Sequence, residues 1–203
     1  MCALSASLTK SAKKCRFLGP INTMSQTVTT RWTFTDNDLK NHRLRKRDAI
    51  GAQEEIQYRQ KGTHYIKEMA DLLKLRPICM NTGIVYFHRF FALRSFKAFD
   101  VNEISICSLF LAAKFEEQPI RKEDLIRAAL CCRPKTRHSA HEDFKSEYRT
   151  QCERLIANEN EMLLTFGFDL MVIHSHTVII SASDNHSVIK REIGANAYKM
   201  AGD

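Results

Sequence analysis

Apolar residues recur along this chain at helical spacing. Over residues 54–75, Tyr65, Ile66, Met69, Leu72 and Leu73 share one face of a long helix. Arg76-Pro77 is expected to stop it, because the residue before a proline resists helical backbone. A second helix is expected over 79–95, with Met80, Ile84, Phe87 and Phe91 on one stripe and Tyr86 and Phe90 beside it. The third, 100–117, is apolar on most sides; Asp100 or Asn102 would cap it and Pro119 would end it. A fourth, 121–132, turns Leu125, Ile126 and Ala129 inward. The fifth, 145–165, has Gly167 placed for its C-terminal cap. Its inward face should carry Tyr148, Cys152, Leu155, Ile156, Met162, Leu163 and Phe166.

Shorter elements flank these five. Acids after Thr35 suggest an N-cap and a short helix to about Asn41, followed by a basic loop over 42–50. That loop holds Arg43-Leu44-Arg45-Lys46-Arg47, readable as an import signal, a phosphate-binding patch or a solvated loop. After Phe168 an extended connection runs to His176, where His174-Ser175-His176 reads as a structural turn. Residues 188–200 form a last amphipathic segment.

Two charges break the pattern. Lys114 ends a run, Ser105 to Ala113, of nine residues without a charge. Glu159 falls at the centre of the inward face of the fifth helix. Three readings are open: an internal ion pair, a reactive lysine with a carboxylate neighbour, and a pair at the edge of the core offered to a partner.

Composition narrows the class. In 203 residues, 44% are hydrophobic, enough for a sizeable core. Seven glycines and four prolines are few for a turn-rich β protein, which favours long helices. The formal charge is +8, but residues 1–35 hold Lys10, Lys13, Lys14, Arg16 and Arg31 and no acid. The rest is only mildly basic, which weakens a nucleic-acid reading. Residues 1–30 are expected to be a disordered basic leader, with a transit peptide as the competing reading and Met24 as an alternative start. Seven cysteines without tidy spacing suggest reduced thiols. Cys131, Cys132, His138, His141 and Cys152 are poorly spaced for zinc. No window is long enough for a membrane span, and no phosphate-cradling glycine loop or catalytic triad stands out, so neither a membrane, a cofactor nor an enzymatic activity is expected.

Four motifs, in order, give the chain a family likeness. They are YRQ at 58–60, NTGIVYFHRF at 81–90, LFLAAKFEEQP at 109–119 and TFGFDL at 165–170. With this helix order the chain resembles the cyclins, and RWTFT at 31–35 makes it most similar to the cyclin-T group. The resemblance implies an all-α fold: a five-helix cyclin box over 31–170, led by a short helix, then a partial second box over 171–203. It also implies a regulatory subunit, not an enzyme. Such a subunit binds and activates a transcriptional cyclin-dependent kinase in the nucleus, and that kinase phosphorylates the C-terminal repeat of RNA polymerase II. The family's kinase-contacting lysine and glutamate match Lys114 and Glu159, and Phe115, Glu117, Phe168 and Leu170 would join them. Only 33 residues follow Leu170, so a second box would be incomplete. The region 58–64 is too polar for the substrate-docking groove of cell-cycle cyclins. Rival expectations are a DNA-binding transcription factor of the same fold, and a shortened form that binds kinase without activating it.

Overall fold

The computed structural model describes residue 32 and residues 50–133, 143–176, 179–180 and 196–197. The chain divides into two units, Met1–Thr33 and Phe34–Asp203, and the helices below belong to the second. They are α1 (Ala52–Leu72), α2 (Pro77–Leu93), α3 (Val101–Phe115), α4 (Lys122–Cys132) and α5 (Asp143–Phe166). No strand occurs among the described residues, and the fold is all-α as expected. The expected short helix at 35–41 and the basic loop as far as Ala49 lie outside the described residues. So does most of 188–200, of which only 196–197 is described, as helix.

The uncharged run becomes the centre of the core. Every residue of α3 from Ile104 to Ala113 is buried, and α3 packs against the other four helices. Burying such a helix all round leaves its polar side chains no water, so each must bond locally. Ser105 and Ser108 do so by donating to the carbonyls of Val101 and Ile104, both at 2.7 Å. Asp100 caps the helix, its Oδ1 accepting from the Asn102 and Glu103 amides at 2.8 and 3.0 Å.

The neighbours of α3 bury large rings against it. Tyr86, Phe87 and Phe90 of α2 have no exposed surface. Phe90 meets Phe99 edge to face at 5.0 Å, and Phe91 stacks on Phe96 at 4.0 Å. From α1, the Tyr65 hydroxyl donates to the Ala129 carbonyl at 2.6 Å and fastens α1 to α4.

Several expected positions shift, each for a local reason. Leu72 and Ile156 are exposed, and Met80 and Ile84 only half-buried; Ala70, Cys79 and Gly83 fill the close-packed positions instead. At Gly83 an added Cβ would lie 3.4 Å from the Leu109 Cα, so α2 and α3 approach closely there. Nor does Pro77 stop α1. The helix ends at Leu72, where Lys74 turns left-handed at φ 52° and the Leu75 amide donates back to the Ala70 carbonyl at 3.0 Å. Pro77 instead opens α2, where its missing N–H costs nothing and its fixed φ suits the first turn. α3 stops the same way at Phe115, ahead of Pro119: Glu117 is left-handed at φ 54° and the Gln118 amide reaches the Ala113 carbonyl at 2.9 Å. Gly167 does close α5, at φ 58°, and Phe168 follows it at φ 63°.

Candidate functional site

The two misplaced charges meet. Lys114 Nζ lies 2.6 Å from Glu159 Oε1, joining the last turn of α3 to α5. The lysine side chain is 44% exposed and the glutamate 15%. Lys114 thus marks where α3 leaves the core, and the pair sits at the edge with its cation toward solvent. The ammonium also lies 4.1 Å from the centre of the Phe110 ring, whose face carries negative charge density. Two attractions hold a flexible side chain in one place.

A second ion pair crosses the same helices. Arg154 Nη1 of α5 is 2.6 Å from Glu103 Oε1 of α3, and Asn158 donates to the other oxygen of Glu103 at 3.4 Å. Neither residue interrupts an apolar run in the sequence as Lys114 does. Glu103 and Lys114 are eleven residues apart, close to three helical turns, so they share a face of α3. That periodicity was the available signal.

Beyond Lys114 the surface turns apolar. The Phe115 side chain is 41% exposed and Phe168 is 68% exposed; Glu117 is exposed between α3 and α4, and Leu170 is half-buried. Tyr86 connects part of this set from beneath. Its ring meets Phe115 edge to face at 6.4 Å and Phe166 at 5.6 Å, and its hydroxyl donates to the Leu170 carbonyl at 2.7 Å. Burial raises the Tyr86 pKa well above its ordinary value, so this hydroxyl stays a donor. The structure therefore joins Lys114 to Glu159, and Phe115 through Tyr86 to Leu170. Glu117 and Phe168 stand exposed at two helix ends, each with left-handed backbone.

The turn after α3 is tied down. Arg76, which caps α2, donates from its backbone amide and Nε to Gln118 Oε1 at 3.0 and 3.3 Å, and from Nη2 to the Glu116 carbonyl. Arg89 holds the Met171 carbonyl at 3.0 Å. His174, expected to be part of a plain turn, contacts Thr82.

A fixed ion pair, two exposed rings and an acidic turn can receive a helix carrying complementary charge and apolar side chains. Among the described residues, no three His, Cys, Asp or Glu side chains converge to hold a metal, and no helix is long and apolar enough to cross a membrane. His138 and His141 lie outside the described residues.

Comparison with known proteins adds the relatives. The model of the cyclin N-terminal domain matches residues 32–171. Cyclin-T of Drosophila melanogaster is 42% identical over 172 residues, 85% of this chain and 15% of that protein. Human Cyclin-T1 is 35% identical over 173 residues, 84% of this chain and 23% of that protein. Human Cyclin-T2 is 35% identical over 175 residues, 86% of this chain and 23% of that protein. The chain thus spans less than a quarter of the length of these three relatives.

Proposed function

The chain belongs to the cyclin family and is a cyclin-T-like cyclin, and we propose that it is the regulatory subunit of a transcriptional cyclin-dependent kinase. On this reading residues 31–170 form the cyclin box that carries the contact, and 171–203 begin a second box. The kinase-facing residues are Lys114, Phe115, Glu117, Glu159, Phe168 and Leu170. The complex works in the nucleus on the C-terminal repeat of RNA polymerase II and promotes elongation. The chain does no chemistry itself.

The observation that supports the reading is the Lys114–Glu159 pair at the edge of the core, beside the exposed ring of Phe115. An ion pair needed only to join two helices has no reason to stand beside exposed rings. As a docking point it presents a fixed cation and a fixed anion to the backbone and charged groups of a partner helix. Phe115 and Phe168, 41% and 68% exposed, would supply apolar burial of about 1–2 kcal/mol each.

Activation then follows from differential binding. An inactive kinase holds its regulatory helix away, so the glutamate on that helix misses the catalytic lysine. A subunit that binds only the inward position shifts the population toward it. Moving a kinase from about 1% to about 99% active takes about 5.5 kcal/mol of preference. A few buried apolar groups and a desolvated ion pair are of that order.

The test is co-purification of the full chain from nuclear extract, identification of the bound kinase by mass spectrometry, and assay of the complex on a polymerase repeat peptide. A transcriptional cyclin-dependent kinase, bound and active, is expected, and is expected to be lost with Lys114→Ala. Binding to DNA at low salt with no kinase recovered would overturn the proposal.

A further inference from the structure

Thr82 of α2 has no exposed surface, and its hydroxyl touches two side chains from distant parts of the chain. Oγ1 lies 2.6 Å from Glu116 Oε1 and 2.8 Å from His174 Nε2. A hydroxyl owns one hydrogen and a carboxylate owns none. The hydrogen between Thr82 and Glu116 is therefore the threonine's. Only a lone pair of Oγ1 is left to face His174, so Nε2 carries the second hydrogen. The order of donation is His174 Nε2–H to Thr82, then Thr82 O–H to Glu116. Burial holds the His174 pKa below its ordinary value, against the pull of Glu116 and with the help of His176 and Arg89. The ring is then neutral at neutral pH, in the tautomer that leaves Nδ1 bare.

The two ends of this relay flank the candidate surface. Glu116 sits between Phe115 and Glu117 in the turn that closes α3. His174 lies in the stretch after α5 that bears Phe168 and Leu170. Arg76 holds the first segment from one side, through the Glu116 carbonyl and Gln118. Arg89 holds the second, through Met171. Thr82 joins both by hydrogen bonds, from a position locked inside α2.

We propose that Thr82 is a positioning residue for the partner surface, its hydroxyl relaying His174 to Glu116 and so fixing the Lys114–Glu117 turn relative to the Phe168–Leu170 stretch. The proposal rests on the kinase-binding reading. Removing the hydroxyl would leave a histidine donor and a carboxylate without the bonds that join their two segments, while altering no group at the interface itself. A surface held loosely must be ordered on binding, which weakens affinity through faster dissociation.

Five full-length proteins test this: wild type, Thr82→Ser, Thr82→Val, His174→Phe and Lys114→Ala. Each is titrated calorimetrically with a purified catalytic subunit of a transcriptional cyclin-dependent kinase. The His174 tautomer is read from imidazole nitrogen-15 shifts. Wild type should show hydrogen on Nε2. Thr82→Val should raise Kd about 10-fold, the equivalent of one charged hydrogen bond, and Thr82→Ser should restore it. If Thr82→Val fails to fold, His174→Phe cuts the same relay from its half-buried end, with the same expected rise. A folded Thr82→Val or His174→Phe with wild-type affinity, beside a weakened Lys114→Ala, overturns the positioning role and leaves the kinase reading standing. Wild-type affinity in Lys114→Ala removes the reading beneath it. Hydrogen on Nδ1 of His174 overturns the relay whatever the affinities are.

Discussion

Lys114 and Glu159 form a 2.6 Å ion pair whose cation is nearly three times as exposed as its anion, at 44% against 15%. That asymmetry separates folding from binding. In the free chain the lysine is half in water, so Lys114→Ala should cost about 1 kcal/mol of stability or less. In the proposed kinase complex the pair would be desolvated, and losing one partner should cost about 3–5 kcal/mol, a loss of affinity above 100-fold. Urea denaturation and calorimetric titration with kinase give the two quantities. Parallel losses in both would make the pair a helix bridge and nothing more.

The pair was legible in the sequence because both residues interrupt periodic apolar faces. α3 was legible for the same reason: nine uncharged residues leave no side for water, and Ile104 to Ala113 is buried throughout. The C-terminal ends of α1 and α3 were not. Lys74 and Glu117 take left-handed backbone without being glycine, so no residue type announced the turns at Leu72 and Phe115, whereas Gly167 and Asp100 did announce theirs. Nor could spacing along one helix find Thr82, Glu116 and His174, which meet across segments 34 and 58 positions apart.

His88 should make stability depend on pH. Burial, with the Arg59 guanidinium 3.1 Å from Nδ1, pushes its pKa from the ordinary 6.5 down to about 4. Below pH 6.5 the unfolded chain takes up a proton that the folded chain refuses. Stability is full above that pH, falls as pH drops toward 4, and loses about 3 kcal/mol through this group. His88→Asn keeps an acceptor for Arg59 and does not titrate. Urea midpoints at pH 7.5 and 5 should therefore differ less for the variant than for wild type. Equal differences would show that His88 carries none of the dependence.

Gly62 is needed for contact between α1 and α2. A Cβ there would lie 2.1 Å from Cζ of Phe87, a ring with no exposed surface and no room to swing. Gly62→Ala should gain helix propensity of about 1 kcal/mol and still lose stability overall, by about 1–3 kcal/mol, through overpacking. Adding Phe87→Leu, which removes the clashing carbons, should recover part of the loss in a double-mutant cycle of thermal or urea unfolding. Additive losses would place the strain elsewhere.

Glu117 holds left-handed backbone, φ 54°, at the turn that closes α3. A side chain in that region costs about 1–2 kcal/mol relative to glycine. Glu117→Gly relieves it but adds freedom to the unfolded chain, which offsets about half. The net expectation is unchanged or slightly raised stability. Kinase affinity should fall, because a carboxylate of the proposed surface is gone. Glu117→Gln separates the two effects: it keeps the backbone strain and removes only the charge. If Gln binds as weakly as Gly, the charge is what the partner meets. If Gln binds like wild type while Gly does not, the partner requires the fixed turn and the carboxylate is incidental. Wild-type affinity in both would take Glu117 off the kinase-facing surface.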